Sequence, residues 1–354
     1  MADPYDTGIL FERRGAAGLV TLNRPHALNA VTHGMVRALG AKLTEWADDD
    51  AVTRVLVRAA GGRAFSAGGD LRQLYELRQQ GRIEEAIAFW RDEYRLNAHI
   101  KHYRKPYVAL IDGVVMGGGV GVSIHGSHRV AGDRFRFAMP EAGIGFFPDV
   151  GASWFLPRLP GELGTYCALT GAELDAAQAC ACGIATHRVS SERFPQLIEA
   201  LCGNVSVDAQ LSAFAENVDK KEPAGHWDVL DPLFKAERVE DILASLDAQA
   251  EAGGPSAALC GSVAATIRTK SPTSLKVTLA LLRRSGKVNF EECMRMEFRL
   301  ACRVAKGHDF FEGIRSVIID KDRTPQWRPA TLQDLGQAEV KQHFAPIEVE
   351  LDLP

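Results

Sequence analysis

Positive charge is not in excess along this chain: 41 Lys and Arg stand against 45 Asp and Glu, giving a net charge of −4 and a pI near 6.2. That balance excludes a nonspecific nucleic-acid binder, although a local basic patch can still hold an anionic group. CxxC pairs are missing too. The seven cysteines, at 167, 180, 182, 202, 260, 293 and 302, are scattered, which suits buried thiols in a reducing compartment. No apolar run approaches the length of a membrane span. The opening stretch MADPYDTGILFERR carries acidic residues where a signal or transit peptide would be basic. The expected location is therefore the cytoplasm, with no membrane and no nucleic acid among the partners.

Several catalytic signatures are also lacking. There is no GxxxxGK[ST] and no GxSxG, and the glycine cluster at 117–121 breaks the dinucleotide pattern GxGxxG at Val122. His125 and His128 stand at i and i+3 without an HExxH context, so they read as packed or exposed polar residues, and no metal site is expected.

What is present is an ordinary soluble composition, 46% hydrophobic and 24% charged, in 354 residues. That is enough for one large core with an appended part. Disorder, collagen and coiled coil are excluded. The pattern ILFERR, GAAG, LVTLN predicts a hairpin that ends at Arg24-Pro25. Met35, Val36, Leu39, Leu43 and Trp46 recur at helical spacing, and VTRVLVRAA follows as a strand. This α/β rhythm returns after a charged helical stretch from about Gln73 to Ala98, in PYVALIDG, HRVAGD and FRFAMPE. Residues 204 to 256, including DKKEPAGHWDVLDP, mix charge with Pro and Gly and predict an irregular or partly helical insertion. From Ser274 to Asp320 the pattern is helical again.

Two glycine-rich turns each follow a strand: RAFSAGGDL at 63–71 and MGGGVGVSIHG at 116–126. Glycine clusters at such places let backbone come close to a ligand. Gly69 and Gly118 could offer their N–H groups to one oxygen, as a thioester oxyanion or enolate requires. Each turn alone reads equally as a plain tight turn.

In combination, LVTLNRPHALNAV, RAFSAGGDL, KPYVALIDGVVMGGGVG and FRFAMPEAGIGFFPDVGASWFLPRLPG resemble the crotonase (enoyl-CoA hydratase/isomerase) superfamily in order and spacing. The resemblance implies an α/β fold, a crotonase-type spiral of repeated ββα turns with a helical C-terminal part. It divides the chain into a CoA-binding and catalytic core (1–200), an insertion or connector (201–264) and a helical region covering the site (265–354). It places the oxyanion-hole donors at Gly69 and Gly118. Hydratases of the family carry a glutamate two residues after the GGG run and a second in the PE segment. Here the first position is Gly121 and only Glu141 remains, so a two-carboxylate hydratase mechanism lacks one of its groups.

Asp149, eight residues beyond Glu141, completes a pair similar to that of the family's 3-hydroxyisobutyryl-CoA hydrolase branch. SPTSLKVTLALLRRSG, EECMRMEFRLACR and GHDFFEGIRSVIIDKDRTPQWRPA resemble that branch outside the shared core. What this implies is hydrolysis of a short 3-hydroxyacyl-CoA thioester, 3-hydroxyisobutyryl-CoA foremost, in valine breakdown. Glu141 acts there as nucleophile or general base and Asp149 orients water or the 3-hydroxyl. The resemblance also implies substrate contacts at Glu93, His26, Ala27, Leu28, Ala67, Asp70 and Gly121, with Arg24 and Lys321 towards the CoA phosphates. Glu93 reads equally as a solvated helix carboxylate. No cofactor is expected beyond the coenzyme A of the acyl-CoA substrate, and self-association follows by family analogy. Two other readings stay open: an enoyl-CoA hydratase or isomerase, and an inactive crotonase-fold binding protein.

Overall fold

Why three short strands end side by side explains most of this architecture. The computed structural model describes residues 8–217 and 227–353. Most of the DKKEPAGHWDVLDP stretch, and the acidic opening residues 1–7, lie outside that description. The chain opens with the hairpin β1 (Ile9–Arg14) and β2 (Ala17–Leu22), antiparallel with Phe11 opposite Val20. Helix α1 (His33–Asp48) starts at the Thr32 cap, whose hydroxyl accepts from the Met35 N–H at 3.2 Å. It buries Met35, Val36, Leu39, Leu43 and Trp46, the stripe seen in the sequence.

From there the chain winds in a repeating path. Strands β3 (Arg54–Ala59), β5 (Tyr107–Ile111) and β7 (His128–Ala131) join the hairpin in a six-stranded sheet of order β1-β2-β3-β5-β7-β10, where β10 is His187–Arg188. Each is followed by a short strand in a second sheet: β4 (Ala64–Ser66), β6 (Val114–Met116) and β8 (Arg136–Ala138), closed by β9 (Leu174–Asp175). Except for the antiparallel pairs β1–β2 and β8–β9, all pairings are parallel. The buried central strands therefore read as continuous apolar runs such as YVALI. The corner between β5 and β6 needs Gly113, at φ +152°, because a Cβ there would lie 2.8 Å from the Arg63 carbonyl oxygen.

The charged stretch after Gly69 forms two helices, α2 (Leu71–Gln79) and α3 (Ile83–Lys101). Beyond β10 the chain is helical. Of the two forms expected for this insertion, irregular or partly helical, the described part takes the second, with helices Val207–Phe214, Trp227–Leu233 and Val239–Glu251. Val239, Ile242, Leu243 and Leu246 are buried at helical spacing and join the main core, which runs from Ile9 to Leu351. No helix among the described residues is long and apolar enough to cross a membrane.

Candidate active site

Three site segments converge because they occupy equivalent places in successive turns of the spiral. In the second sheet β4, β6 and β8 are neighbours. The segments leaving their ends are Ala67-Gly68-Gly69, Gly117-Gly118 and Met139-Pro140-Glu141. All of these but Met139 line one cavity of about 390 Å³, together with Glu93, Trp90, Phe146, Asp149, Lys270 and Phe310 among others.

The two glycine turns present bare peptide groups. Gly68 (φ +113°) and Gly117 (φ +46°) take conformations that L side chains rarely adopt, and each turns the following peptide so that its N–H leaves the sheet. A Cβ on Gly118 would sit 3.3 Å from the Gly69 nitrogen, which fixes how closely the turns approach. Neither N–H has an acceptor within the described residues. Gly118 opens the short helix α4 (Gly118–Gly121), where a first-turn N–H has no partner in its own helix. Two free donors thus point at one space.

Facing them are carboxylates. Glu141 and Asp149 are only 6% and 5% exposed, and Glu93 is 2% exposed on α3. Glu93 Oε1 and Glu141 Oε2 have no hydrogen-bond partner. A Cβ on Gly118 would lie 2.7 Å from Glu93 Oε1, and one on Gly117 would lie 3.1 Å from Glu141 Oε1. Both acids therefore reach over the glycine turns. Burial pushes the Glu93 and Glu141 carboxyls well above the usual range, and the Asp149 charge adds to each shift. Burial raises Asp149 to about 7, against the opposing hydrogen bond from Tyr94, whose hydroxyl donates to Oδ2 at 2.7 Å. Raised carboxyls in a cavity are the kind of group that acid–base chemistry uses.

Gly121 explains the missing hydratase carboxylate. It is buried and does not line the cavity; a Cβ there would meet Asn97 Nδ2 at 2.8 Å and Val150 Cβ at 2.9 Å. The expected substrate contact at Gly121 is thus corrected: the glycine backs the site and leaves no room for a side chain.

The other expected positions divide. Ala67, Gly69, Glu93, Gly118, Glu141 and Asp149 line the cavity. The solvated-helix reading of Glu93 is excluded by its burial. His26, Ala27, Leu28 and Asp70 do not line it. His26 is exposed, and the Leu28 carbonyl accepts from the Ala67 N–H at 3.0 Å, so this loop braces the first glycine turn from outside. Asp70 pairs with Arg24 at 3.0 Å and caps α2 through the Gln73 N–H. Lys321 is exposed, three residues beyond the wall residue Ile318. His125 is buried and donates to the Val150 carbonyl at 2.7 Å, while His128 faces Asp208. Among the described residues no group of His, Cys, Asp and Glu is placed to hold a metal ion.

Sequence reasoning missed the aromatic wall, the Tyr94 donor and Lys270. Trp90 stacks on Phe146 at 5.5 Å, and Phe146 meets Phe310 at 4.8 Å. Trp90 and Tyr94 are four apart on α3 and flank Glu93, a helical spacing that is visible once one face of α3 is known to meet the site.

Paired glycine turns at the ends of adjacent strands, in a sheet wound from ββα repeats, define a crotonase-type spiral. The model of the family described as enoyl-CoA hydratase/isomerase matches residues 17–344, and the chain belongs to that family. It is 44% identical over 346 residues to the mitochondrial 3-hydroxyisobutyryl-CoA hydrolase of Rattus norvegicus, covering 95% of this chain and 88% of that one. The corresponding Homo sapiens protein is 41% identical with the same coverage. A crystal structure of a carnitinyl-CoA dehydratase from Mycobacterium thermoresistibile superimposes with a TM-score of 0.90 at 43% identity, covering 98% of each chain. The cytoplasmic expectation is corrected by these relatives: the two hydrolases are mitochondrial and point to that compartment. Unpaired cysteines report only a reducing environment, and that property does not separate the two locations.

Proposed function

We propose that this chain hydrolyses the thioester of a short 3-hydroxyacyl-CoA, with 3-hydroxyisobutyryl-CoA the leading substrate, to the free acid and coenzyme A. The observation that carries this reading is the packing behind Gly121. Asn97 and Val150 occupy the space that a second hydratase carboxylate would need, while Glu141 and Asp149 share the cavity with two free N–H donors. The names of both hydrolase relatives support it.

In this reading the Gly69 and Gly118 N–H groups form the oxyanion hole, gripping the thioester oxygen as negative charge develops there. Glu141, held above the usual carboxyl range by burial, takes a proton from water as it attacks, or attacks the carbonyl itself to give a mixed anhydride that water then opens, releasing the acid and restoring the Glu141 carboxylate. Asp149, oriented by Tyr94, directs the water or the 3-hydroxyl. The carbon–sulfur bond breaks and CoA leaves as a thiolate, which needs no strong acid on sulfur. The Trp90–Phe146–Phe310 wall keeps bulk water off the acyl group. No cofactor is required beyond the CoA of the substrate. Self-association belongs to the same reading, and sedimentation of the purified chain tests it.

The enoyl-CoA hydratase or isomerase reading has the dehydratase neighbour in its favour. Thiol release from a panel of acyl-CoAs, run beside crotonyl-CoA hydration on the same preparation, separates the two. Hydrolysis should dominate, fastest with 3-hydroxyisobutyryl-CoA. Crotonyl-CoA hydration at a comparable rate would refute the hydrolase reading.

A further inference from the structure

Val150 is a β-branched residue at φ +52°, immediately after Asp149. Left-handed backbone at such a residue is an outlier that persists only where the surroundings impose it. Gly151 continues the turn at φ +86°. Two buried side chains hold this backbone. His125 donates from Nε2 to the Val150 carbonyl at 2.7 Å. Glu297, fully buried on the C-terminal helix Phe290–Val304, accepts from the Gly151 N–H at 2.8 Å, from the Ser153 N–H at 2.9 Å and from the Ser153 hydroxyl. Among the described residues no cation pairs with Glu297. Its bonding capacity goes to one turn, more than 140 residues away in sequence, that carries Asp149.

We propose that Glu297 is a positioning residue that acts through Asp149, clamping the Asp149-Val150-Gly151 turn so that the Asp149 carboxylate meets Tyr94 and faces the acyl group. The inference rests on the proposed hydrolase reading and extends it to a helix outside the spiral. A carboxylate accepts at both oxygens, whereas a carboxamide offers one acceptor and one NH₂ donor. In Glu297→Gln the donor must face the N–H of Gly151 or of Ser153, and the clamp opens.

The test is a double-mutant cycle on the full chain with 3-hydroxyisobutyryl-CoA. Glu297→Gln should lower kcat about 10-fold or more and leave KM within about two-fold, since a misplacement near 1 Å is enough for such a loss. In the Asp149→Asn background the same change should lower kcat less than about two-fold, because residues acting through one group are not additive. Should Glu297→Gln fail to fold, Ser153→Ala removes one of the three bonds. It should cost about three-fold in kcat, and again almost nothing beside Asp149→Asn. Wild-type kcat in the folded variants, or an equal loss in both backgrounds, would overturn the positioning role. If Asp149→Asn itself keeps wild-type kcat, the proposed carboxylate pair falls, and the positioning role with it. If Asp149→Asn collapses while Glu297→Gln and Ser153→Ala are inert, the positioning role alone falls.

Discussion

The two walls of the cavity are built on opposite principles. The glycine wall, at Gly68-Gly69 and Gly117-Gly118, works by lacking side chains: its N–H groups are free because nothing covers them, and its conformations suit glycine. The carboxylate wall, at Glu93, Glu141 and Asp149, is defined by what it carries, acids buried without a cation partner among the described residues and raised above the usual carboxyl range by burial. The glycine wall costs the fold little. The carboxylate wall costs it stability whenever its acids ionise, since charged groups in a dry site are disfavoured. On the proposed reading, function at the first wall is broken by adding atoms, and at the second by removing charge.

Substitutions can sharpen or break that contrast. Glu141→Gln keeps shape and removes the ionisable group, so kcat for thioester hydrolysis should fall by about 10³-fold or more while acyl-CoA binding by calorimetry survives. Gly118→Ala adds a methyl between the Gly69 nitrogen and Glu93 Oε1. Its kcat should fall about 10²-fold, the scale of losing one oxyanion donor, yet its melting temperature should barely move because the Glu93 side chain can swing aside. Equal thermal damage from both changes would erase the distinction.

Gly121→Ala tests the packing behind the walls. Its methyl meets Asn97 and Val150, both in the core, so chemical denaturation should show a loss of about 1–3 kcal/mol. The smallest effect expected is a gain. Burial raises the Asp149 carboxyl from its ordinary 3.8 to about 7, so the folded state holds its proton more tightly than the unfolded chain. Stability from this group is therefore present below the unfolded value and lost as pH rises through about 7. Asp149→Asn should stabilise the protein at pH 8, with the gain vanishing near pH 4. A loss of stability at pH 8 would mean that the charge is better accommodated than its burial implies.

The glycine wall was legible in the sequence because glycine is itself the signal: RAFSAGGDL and MGGGVG announce turns where backbone approaches something. The α/β rhythm was legible from apolar runs such as YVALI and from the α1 stripe, and its winding into a spiral from the family resemblance. Glu141 and Asp149 were found through family resemblance, since an acid in a loop has no local mark of burial. Glu297 escaped because its neighbours EECMRMEF read as an amphipathic helix, and its partners at Gly151 and Ser153 are brought to it only by tertiary packing. The extent of helix in the insertion was less legible. Pro and Gly at 223, 225 and 253–255 drew attention from the helical spacing of Val239, Ile242, Leu243 and Leu246. The loop His26–Leu28, expected at the CoA end of the substrate, is tied to the first glycine turn through the Leu28 carbonyl and stands outside the acyl cavity's lining.

The central claim is that Glu141 and Asp149 act as one unit on a thioester whose oxygen the glycine wall holds. The most direct measurement is kcat for 3-hydroxyisobutyryl-CoA hydrolysis by Glu141→Gln, by Asp149→Asn and by the double variant, with acyl-CoA binding checked in each. The account predicts a collapse in both single variants, with the double variant within about three-fold of the slower one. A single variant with near-normal turnover, or losses that multiply in the double variant, would contradict it.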